Sequence, residues 1–159
     1  MRPTPRISVV VPAFNHERFI GEALESVRRQ TFEDFEAVIV DDGSTDGTAE
    51  IAQAVARKDP RFRVHRQANA GSHAAINRAI ALAQGDWIAI LNSDDRFAPG
   101  RLARLLDEAQ QGALFIVTDV CLIDAQGIEI VDPNHWWLKS AALFRSRAIA
   151  LGAVDGLIY

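Results

Sequence analysis

Two pairs of adjacent carboxylates, Asp41-Asp42 and Asp94-Asp95, each follow an apolar run in this chain of 159 residues. Neighbouring carboxylates repel each other unless a cation or hydrogen-bond donors compensate. In Asn92-Ser93-Asp94-Asp95 that compensation can be magnesium or manganese, hard cations that take oxygen ligands and share their coordination sphere with phosphates. The same residues also suit a solvated acidic loop ahead of a helix opened by Pro99. Asp41-Asp42 leads into Gly43-Ser44-Thr45-Asp46-Gly47-Thr48, dense in turn and helix-capping residues. A carboxylate there can accept hydrogen bonds from ligand N–H groups, such as a nucleobase imide, or serve only the turn. Phe14, one residue before Asn15, offers a ring that stacks on a planar base or joins the core. His16, His73 and His135 show no metal-ligand spacing and read as surface or loop residues. Asn134-His135-Trp136-Trp137 fits either a platform for a sugar or apolar acceptor, or core packing.

These residues need a scaffold, and the pattern around them is that of an α/β domain with a mostly parallel sheet. Ile7 to Val11 is a β-branched strand ending at Pro12, and Arg18 to Gln30 carries Phe19, Ile20, Ala23, Leu24 and Val27 at helical spacing. Phe35 to Val40 reads as the second strand, Thr48 to Lys58 as the second helix, and Phe62 to His65 as the third strand. A helix from Ser72 to Ala83 presents Ile76, Ala79, Ile80 and Ala83 on one face, with Gly85 as its C-cap. Trp87 to Leu91 is the fourth strand, and a helix beginning near Arg101 places Leu102, Leu105, Leu106 and Ala109 on one side. Leu114 to Thr118 reads as a buried strand, and Cys121 to Asp124 with Ile128 to Val131 flank a turn at Ala125-Gln126-Gly127, as a hairpin does. Pro12-Ala13-Phe14-Asn15, Asp41-Asp42-Gly43-Ser44 and Asn92-Ser93-Asp94-Asp95 all fall at carboxyl ends of strands. If those strands are parallel neighbours, the three loops share one edge of the sheet, where such sheets bind ligands.

Composition narrows the function classes. The chain is 48% hydrophobic and 24% charged, an ordinary globular mixture that excludes global disorder. Seventeen Lys and Arg against 21 Asp and Glu give a net charge of −4, and no basic run is present to neutralise a row of phosphates, so nucleic acid is not an expected partner. The single cysteine, Cys121, forms no internal disulfide and is expected as a small buried apolar residue. No segment reaches the ~20 apolar residues of a membrane span, and no signal peptide is visible. A cytoplasmic location is expected, peripheral at the membrane if the parent chain is longer.

Taken in order, Val9-Val10-Val11-Pro12-Ala13-Phe14-Asn15, Gln30-Thr31-Phe32, Asp41 to Thr48, Asn69-Ala70-Gly71 with Asn77, and Leu91-Asn92-Ser93-Asp94-Asp95 closely resemble the inverting glycosyltransferases of family 2. The match is dense from Ile7 to about Leu106. It returns at Ala142-Leu143-Phe144-Arg145 and Gly152-Ala153-Val154-Asp155-Gly156, which look like the segment preceding that family's catalytic acid pair. The resemblance implies a GT-A fold, Rossmann-like, over a single domain of residues 1–159 that ends in a C-terminal hairpin and is truncated. It further implies a nucleoside diphosphate sugar donor, usually a uridine diphosphate sugar, a saccharide or other hydroxyl acceptor, and a divalent cation, Mn2+ or Mg2+.

Carried over position by position, Pro12, Ala13, Phe14 and Asn15 border the base and ribose, and Asp41 and Asp42 lie at the base, with Asp42 accepting from its ring N–H. Asn69 and Gly71 lie near the ribose or diphosphate. Asn92, Ser93 and Asp94 form the counterpart of the family's Asp-x-Asp motif, in which Asp94, with Asp95 beside it, holds the metal. Asn92 replaces that motif's first Asp, which keeps an oxygen but drops a negative charge. Inverting transfer also needs a general base for the acceptor proton. The resemblance places that base beyond Tyr159, because Asp155 matches a structural acid of the preceding segment, so this chain alone is expected to bind donor with little or no transfer. The alternative reading is a non-catalytic nucleotide-sugar-binding module. A nicotinamide-dependent dehydrogenase is disfavoured because Pro12-Ala13-Phe14-Asn15 contains no glycine.

Overall fold

The computed structural model describes residues 4–114, 116, 121, 123, 124, 126, 128 and 129. The chain divides into two compact units, Met1–Leu114 and Phe115–Tyr159. The first unit contains, in order, β1 (Ile7–Ala13), α1 (Ile20–Arg28), β2 (Phe35–Asp41), α2 (Thr48–Lys58), β3 (Phe62–Arg66), α3 (Ser72–Leu82), β4 (Trp87–Ile90) and α4 (Arg101–Gln110). Its four strands form one parallel sheet in the order β3-β2-β1-β4, flanked by the helices. This is the parallel α/β architecture expected of the GT-A class.

β1 and β2 are buried along their whole length. A parallel strand covered on both faces must be apolar almost continuously, which is why Ile7 to Val11 and Ala37 to Val40 contain so few polar residues. Successive side chains of β1 point to opposite faces. Ile7, Val9 and Val11 join a large cluster with Ile20, Leu24 and Val27 of α1, Ala52 of α2 and Leu102 and Leu106 of α4. Val10 joins Val38, Val40, Ala75 and Ala79 in a smaller cluster under α3.

Three local expectations change. β1 continues through Pro12 to Ala13, with Pro12 opposite Val40. β4 pairs only with Ile7 to Val10, so at Pro12 the strand has a neighbour on one side and its missing N–H leaves no ladder partner unpaired on the other. α3 seats Ala75 and Ala79 on the sheet and leaves Ile80 exposed, because small residues let the helix approach the crowded valines closely. Gly85 is not a C-cap, since α3 ends at Leu82 and Ala83 is already extended. Gly85 instead passes against β1, where a Cβ would stand 2.7 Å from the Ser8 nitrogen.

That crossing belongs to a buried polar network at the amino-terminal end of the sheet. Ser8 Oγ donates to Glu36 Oε1 at 2.7 Å, and the Gln84 N–H donates to the same oxygen at 2.6 Å. Arg63 grips Glu36 Oε2 through Nη2 at 2.6 Å and Nε at 3.1 Å, and the Gly85 N–H donates to Ser8 Oγ at 2.8 Å. A buried carboxylate is tolerated when its charge and lone pairs are matched in this way.

In the second unit, an antiparallel bridge joins Ile123 to Glu129. Asp124 closes the turn by accepting the N–H groups of Gln126 and Ile128 at 2.9 Å, as a hairpin there requires. Cys121 is exposed rather than buried, and so is Leu114 at the start of the expected fifth strand. Phe115, Val117 and Thr118 of that strand, the Trp136-Trp137 segment, and Ala142 to Gly156 lie outside the described residues.

Candidate functional site

The strand order places β2 on one side of β1 and β4 on the other. The chain therefore reverses direction across the sheet at β1 and β4, and a crevice opens at the carboxyl ends of such a pair. The loops after β1, β2 and β4 do share that edge, and the loop from β3 to α3 joins them.

Asp42 joins the loop after β2 to the loop from β3 to α3. Its N–H donates to the Ala13 carbonyl at 2.8 Å, which ties it to the end of β1. Its carboxylate, on a residue only 2% exposed, accepts Gln67 Nε2 at 2.7 Å and the N–H groups of Ala70 at 2.9 Å and Gly71 at 2.8 Å. Burial pushes this carboxyl up, but the Gln67, Ala70 and Gly71 donors and the nearby His73 imidazole more than reverse that and hold it below the usual aspartate value of 3.8. Oδ1 receives two donors and Oδ2 one, so of about four acceptor sites on a carboxylate one remains on Oδ2.

Gly43 makes this arrangement possible. Its φ is +77°, and a Cβ would stand 2.9 Å from the Asn69 nitrogen and 3.2 Å from the Gln67 carbonyl. Only glycine fits both the left-handed backbone and the close approach of the β3–α3 loop. Asp41 is fully buried beside it. Its Oδ2 accepts the Ser44 N–H at 3.3 Å and forms an ion pair with Arg66, whose Nε lies 3.1 Å away, whereas Oδ1 has no hydrogen-bond partner among the described residues.

Asn15 joins the first loop to the second. It adopts φ +51°, a conformation asparagine tolerates, and its Oδ1 accepts the Thr45 N–H at 2.9 Å while its own N–H donates to Ser44 Oγ at 3.0 Å. Pro12 and Ala13 are buried at the carboxyl end of β1, and Phe14 is 43% exposed rather than part of the core. Asn69 is exposed and Gly71 half-buried at the rim. Asn77, on α3, is exposed and forms none of these links.

In the last loop, Ser93 is buried, and Asn92, Asp94 and Asp95 are exposed. Asn92 Nδ2 donates to Asp95 Oδ2 at 3.0 Å. Among the described residues nothing pairs with the Asp94 carboxylate. No group of three His, Cys, Asp or Glu able to hold a metal occurs among the described residues. The donor set nevertheless fits a cation of the magnesium or manganese kind, which is typically bound through one or two carboxylates and completes its sphere with phosphate and water. Of the two carboxylates, Asp94 has no partner among the described residues, whereas Asp95 already accepts from Asn92.

Several contributors were not visible from residue type alone. Arg66 reaches Asp41 because the β2–β3 register sets Asp41 opposite Arg66. Gln30 supports the acidic loop from behind, donating to the Ala98 carbonyl at 2.7 Å and accepting the Leu102 N–H at 3.0 Å, which accounts for the place of Gln30-Thr31-Phe32 in the motif series. His16 does lie in a loop, but its ring is bonded to Ser93.

The depressed carboxyls predict a pH response. Asp59, held down by the Arg61 guanidinium against the effect of burial, and Asp42 both sit below 3.8, and Glu25, gripped by Arg28, sits at about 2. A carboxyl depressed in the folded state stabilises it above the unfolded value and loses that contribution as pH falls through the folded value. The melting temperature is therefore expected to hold from neutral pH down to about pH 5 and to fall below about pH 4, with a shallower fall for Asp42→Asn. A melting series across that range checks both slopes.

The profile of the family described as Glycosyl transferase family 2 matches residues 8–153. The uncharacterized glycosyltransferase EpsJ of Bacillus subtilis is 42% identical over 113 residues, covering 71% of this chain and 33% of that protein. Staphylococcus aureus TarS 1–349 in complex with UDP-GlcNAc superposes with a TM-score of 0.63 at 32% identity, over 67% of this chain and 31% of that one. The Pyrobaculum calidifontis mannosyltransferase PcManGT, in complex with GDP-Man and Mn2+, superposes with a TM-score of 0.60 at 30% identity, over 64% of this chain and 31% of that one. The chain thus spans about a third of the length of these relatives.

Proposed function

Because the chain belongs to glycosyl transferase family 2, we propose that it is the donor-binding part of a glycosyltransferase that moves a sugar from a nucleoside diphosphate sugar to an acceptor hydroxyl with inversion. The observation that carries the reading is the set of loops at one sheet edge, which presents a hydrogen-bonding carboxylate at Asp42 and an unpaired one at Asp94 across the same crevice. The UDP-GlcNAc and GDP-Man complexes of structural neighbours support a nucleotide-sugar donor.

In this proposal the base lies against Pro12, Ala13 and the exposed ring of Phe14, whose face suits stacking. Asp42 accepts the base ring N–H on its remaining Oδ2 site, and Asp41, paired with Arg66, holds the strand end in place. Asn15, bonded to the Ser44 hydroxyl and the Thr45 N–H, keeps the base loop closed. Asn69 and Gly71 border the ribose or diphosphate, where the exposed Asn69 side-chain amide can reach an anionic oxygen. Asn92 offers its amide oxygen to the ribose or to bound water. A Mn2+ or Mg2+ ion, when bound, neutralises charge on the departing diphosphate, and Asp94, with Asp95 beside it, holds it. Residues 1–159 are taken as one functional domain, and the acceptor is a saccharide or another hydroxyl compound. No carboxylate among the described residues is assigned as the base for the acceptor proton. No helix among the described residues is long and apolar enough to cross a membrane.

Calorimetry with UDP tests the proposal. Binding that appears or strengthens on adding MnCl2 is the expected result, and absence of heat with UDP and with GDP, each with MnCl2, overturns it. Binding of GDP alone keeps the donor class and removes the uridine assignment.

A further inference from the structure

We propose that His16 is a positioning residue for the Asp94 loop and acts through Ser93. His16 is itself held at three points. Its N–H donates to Thr48 Oγ1 at 2.8 Å, and its carbonyl accepts the N–H groups of Phe19 at 3.0 Å and Ile20 at 2.9 Å, where α1 begins. Its ring meets Phe19 edge to face, with centroids 6.1 Å apart and planes at 86°. A side chain fixed at backbone and ring can transmit position, and Nδ1 lies 2.8 Å from Ser93 Oγ. Either partner can donate, since imidazole nitrogen and hydroxyl each take both roles.

The loop on the other side of this bond has few alternatives. Leu91 is tied to β1 through the Val10 carbonyl at 3.0 Å, and Arg96 to α1 through Glu22 at 3.0 Å. Between them, Asn92 and Asp95 bond only to each other among the described residues, and the Asp94 carboxylate has no partner. The contact from His16 to Ser93 is the one hydrogen bond from residues 92–95 to another segment of the described chain, beside a charge attraction between Asp95 and Arg101. Ser93 is 2% exposed and immediately precedes the exposed Asp94, so holding its side chain inward fixes the turn that carries the Asp94 carboxylate. The bond spans 77 residues and joins the first loop, which carries Asn15, to the loop carrying the proposed metal ligand. His16 thereby sets the place of the Asp94 carboxylate relative to the base-binding loops. The inference rests on the reading of Asp94 as the metal ligand.

Calorimetry with UDP, with and without MnCl2, is run on the wild type and on His16→Ala, His16→Asn, Ser93→Ala and the double variant His16→Ala/Ser93→Ala, alongside spin-resonance measurement of bound Mn2+. His16→Ala is expected to weaken the manganese-dependent part of UDP binding by about 10–100-fold, the usual effect of losing a group that orients a metal ligand. Metal-free UDP binding stays at the wild-type level, and the melting temperature drops by no more than the few degrees a lost hydrogen bond costs. Ser93→Ala gives the same loss, and the double variant is no worse than either single, because both remove one bond. Asparagine can place an amide nitrogen where Nδ1 lies, so His16→Asn restores most of the affinity. Unchanged manganese dependence in His16→Ala, an equal loss of metal-free binding, or failure of asparagine to rescue overturns the positioning role while the donor-binding reading stands. A wild type without manganese-dependent UDP binding overturns both.

Discussion

Replacing Asp94 by alanine is expected to abolish the cation-dependent part of UDP binding while leaving the fold intact. Groups that merely orient a metal ligand are worth about 10–100-fold in metal affinity, so removal of the ligand itself costs more than about 100-fold. The residual binding is what Asp42, Phe14 and the β3–α3 loop contribute without a cation. Stability moves little because Asp94 is exposed, and substitutions at such positions fall within about ±0.5 kcal/mol. Removing one of two adjacent carboxylates also relieves their repulsion. Asp95→Ala has the smaller effect, since Asp95 already accepts the Asn92 amide at 3.0 Å. Asn92 supplies a neutral oxygen only, so no second charge at that motif position replaces Asp94. Calorimetry with and without MnCl2 measures the difference, and manganese-dependent UDP binding that survives in Asp94→Ala removes the metal assignment.

Gly85→Ala is expected to be the most damaging conservative change for stability. The new Cβ would stand 2.7 Å from the Ser8 nitrogen, 2.8 Å from the Ile7 carbonyl carbon and 2.8 Å from Ser8 Oγ. Two of those atoms are backbone of β1, which is hydrogen-bonded to β2 on one side and β4 on the other and cannot yield. Overpacking of this kind costs about 1–3 kcal/mol. Displacing the loop also stretches the Gly85 bond to Ser8 Oγ and the Gln84 bond to Glu36, and a buried polar group left unpaired costs about 1–3 kcal/mol. A loss of about 3 kcal/mol or more follows, a large share of the roughly 5–15 kcal/mol by which domains are stable. Urea unfolding reads it directly. Gly100→Ala serves as the control, because nothing lies within 4 Å of that position and the change is expected to stay within about 1 kcal/mol. UDP binding by folded Gly85→Ala protein stays at the wild-type level, since Gly85 is at the end of the sheet away from the crevice.

The elements of the first unit were legible because parallel α/β structure writes itself in period. β-branched runs with few polar residues mark the buried strands, and apolar residues three and four apart mark α1, α2 and α4. α3 was legible as a helix but not in its facing, because Ile76 and Ile80 outweigh Ala75 and Ala79 in hydrophobicity while the crowded valines beneath select for small size. Pro12 and Gly85 misled for a related reason. Both are read as punctuation when only the local chain is considered, whereas their roles here are set by what lies beside them in space.

At the site, residue type and order pointed to the Asp41-Asp42 and Asn92-to-Asp95 loops and to their sharing of one sheet edge, and the family resemblance singled out Asn15, Asp42 and Asp94. The division of labour between them is a matter of tertiary structure. Asp41 and Asp42 are neighbours with the same side chain, yet one pairs with Arg66 and the other gathers Gln67, Ala70 and Gly71. Asp94 and Asp95 are equally alike, yet only Asp95 has a partner among the described residues. Sequence by itself determined which residue types the loops carry and the alternation of strand and helix behind a parallel sheet, since both depend on residue identity and local period, whereas the strand order β3-β2-β1-β4 that gathers the loops came from the fold. Only the folded chain decided which carboxylate is spent on structure and which stays free, because a hydrogen bond forms between atoms about 3 Å apart however many residues separate them.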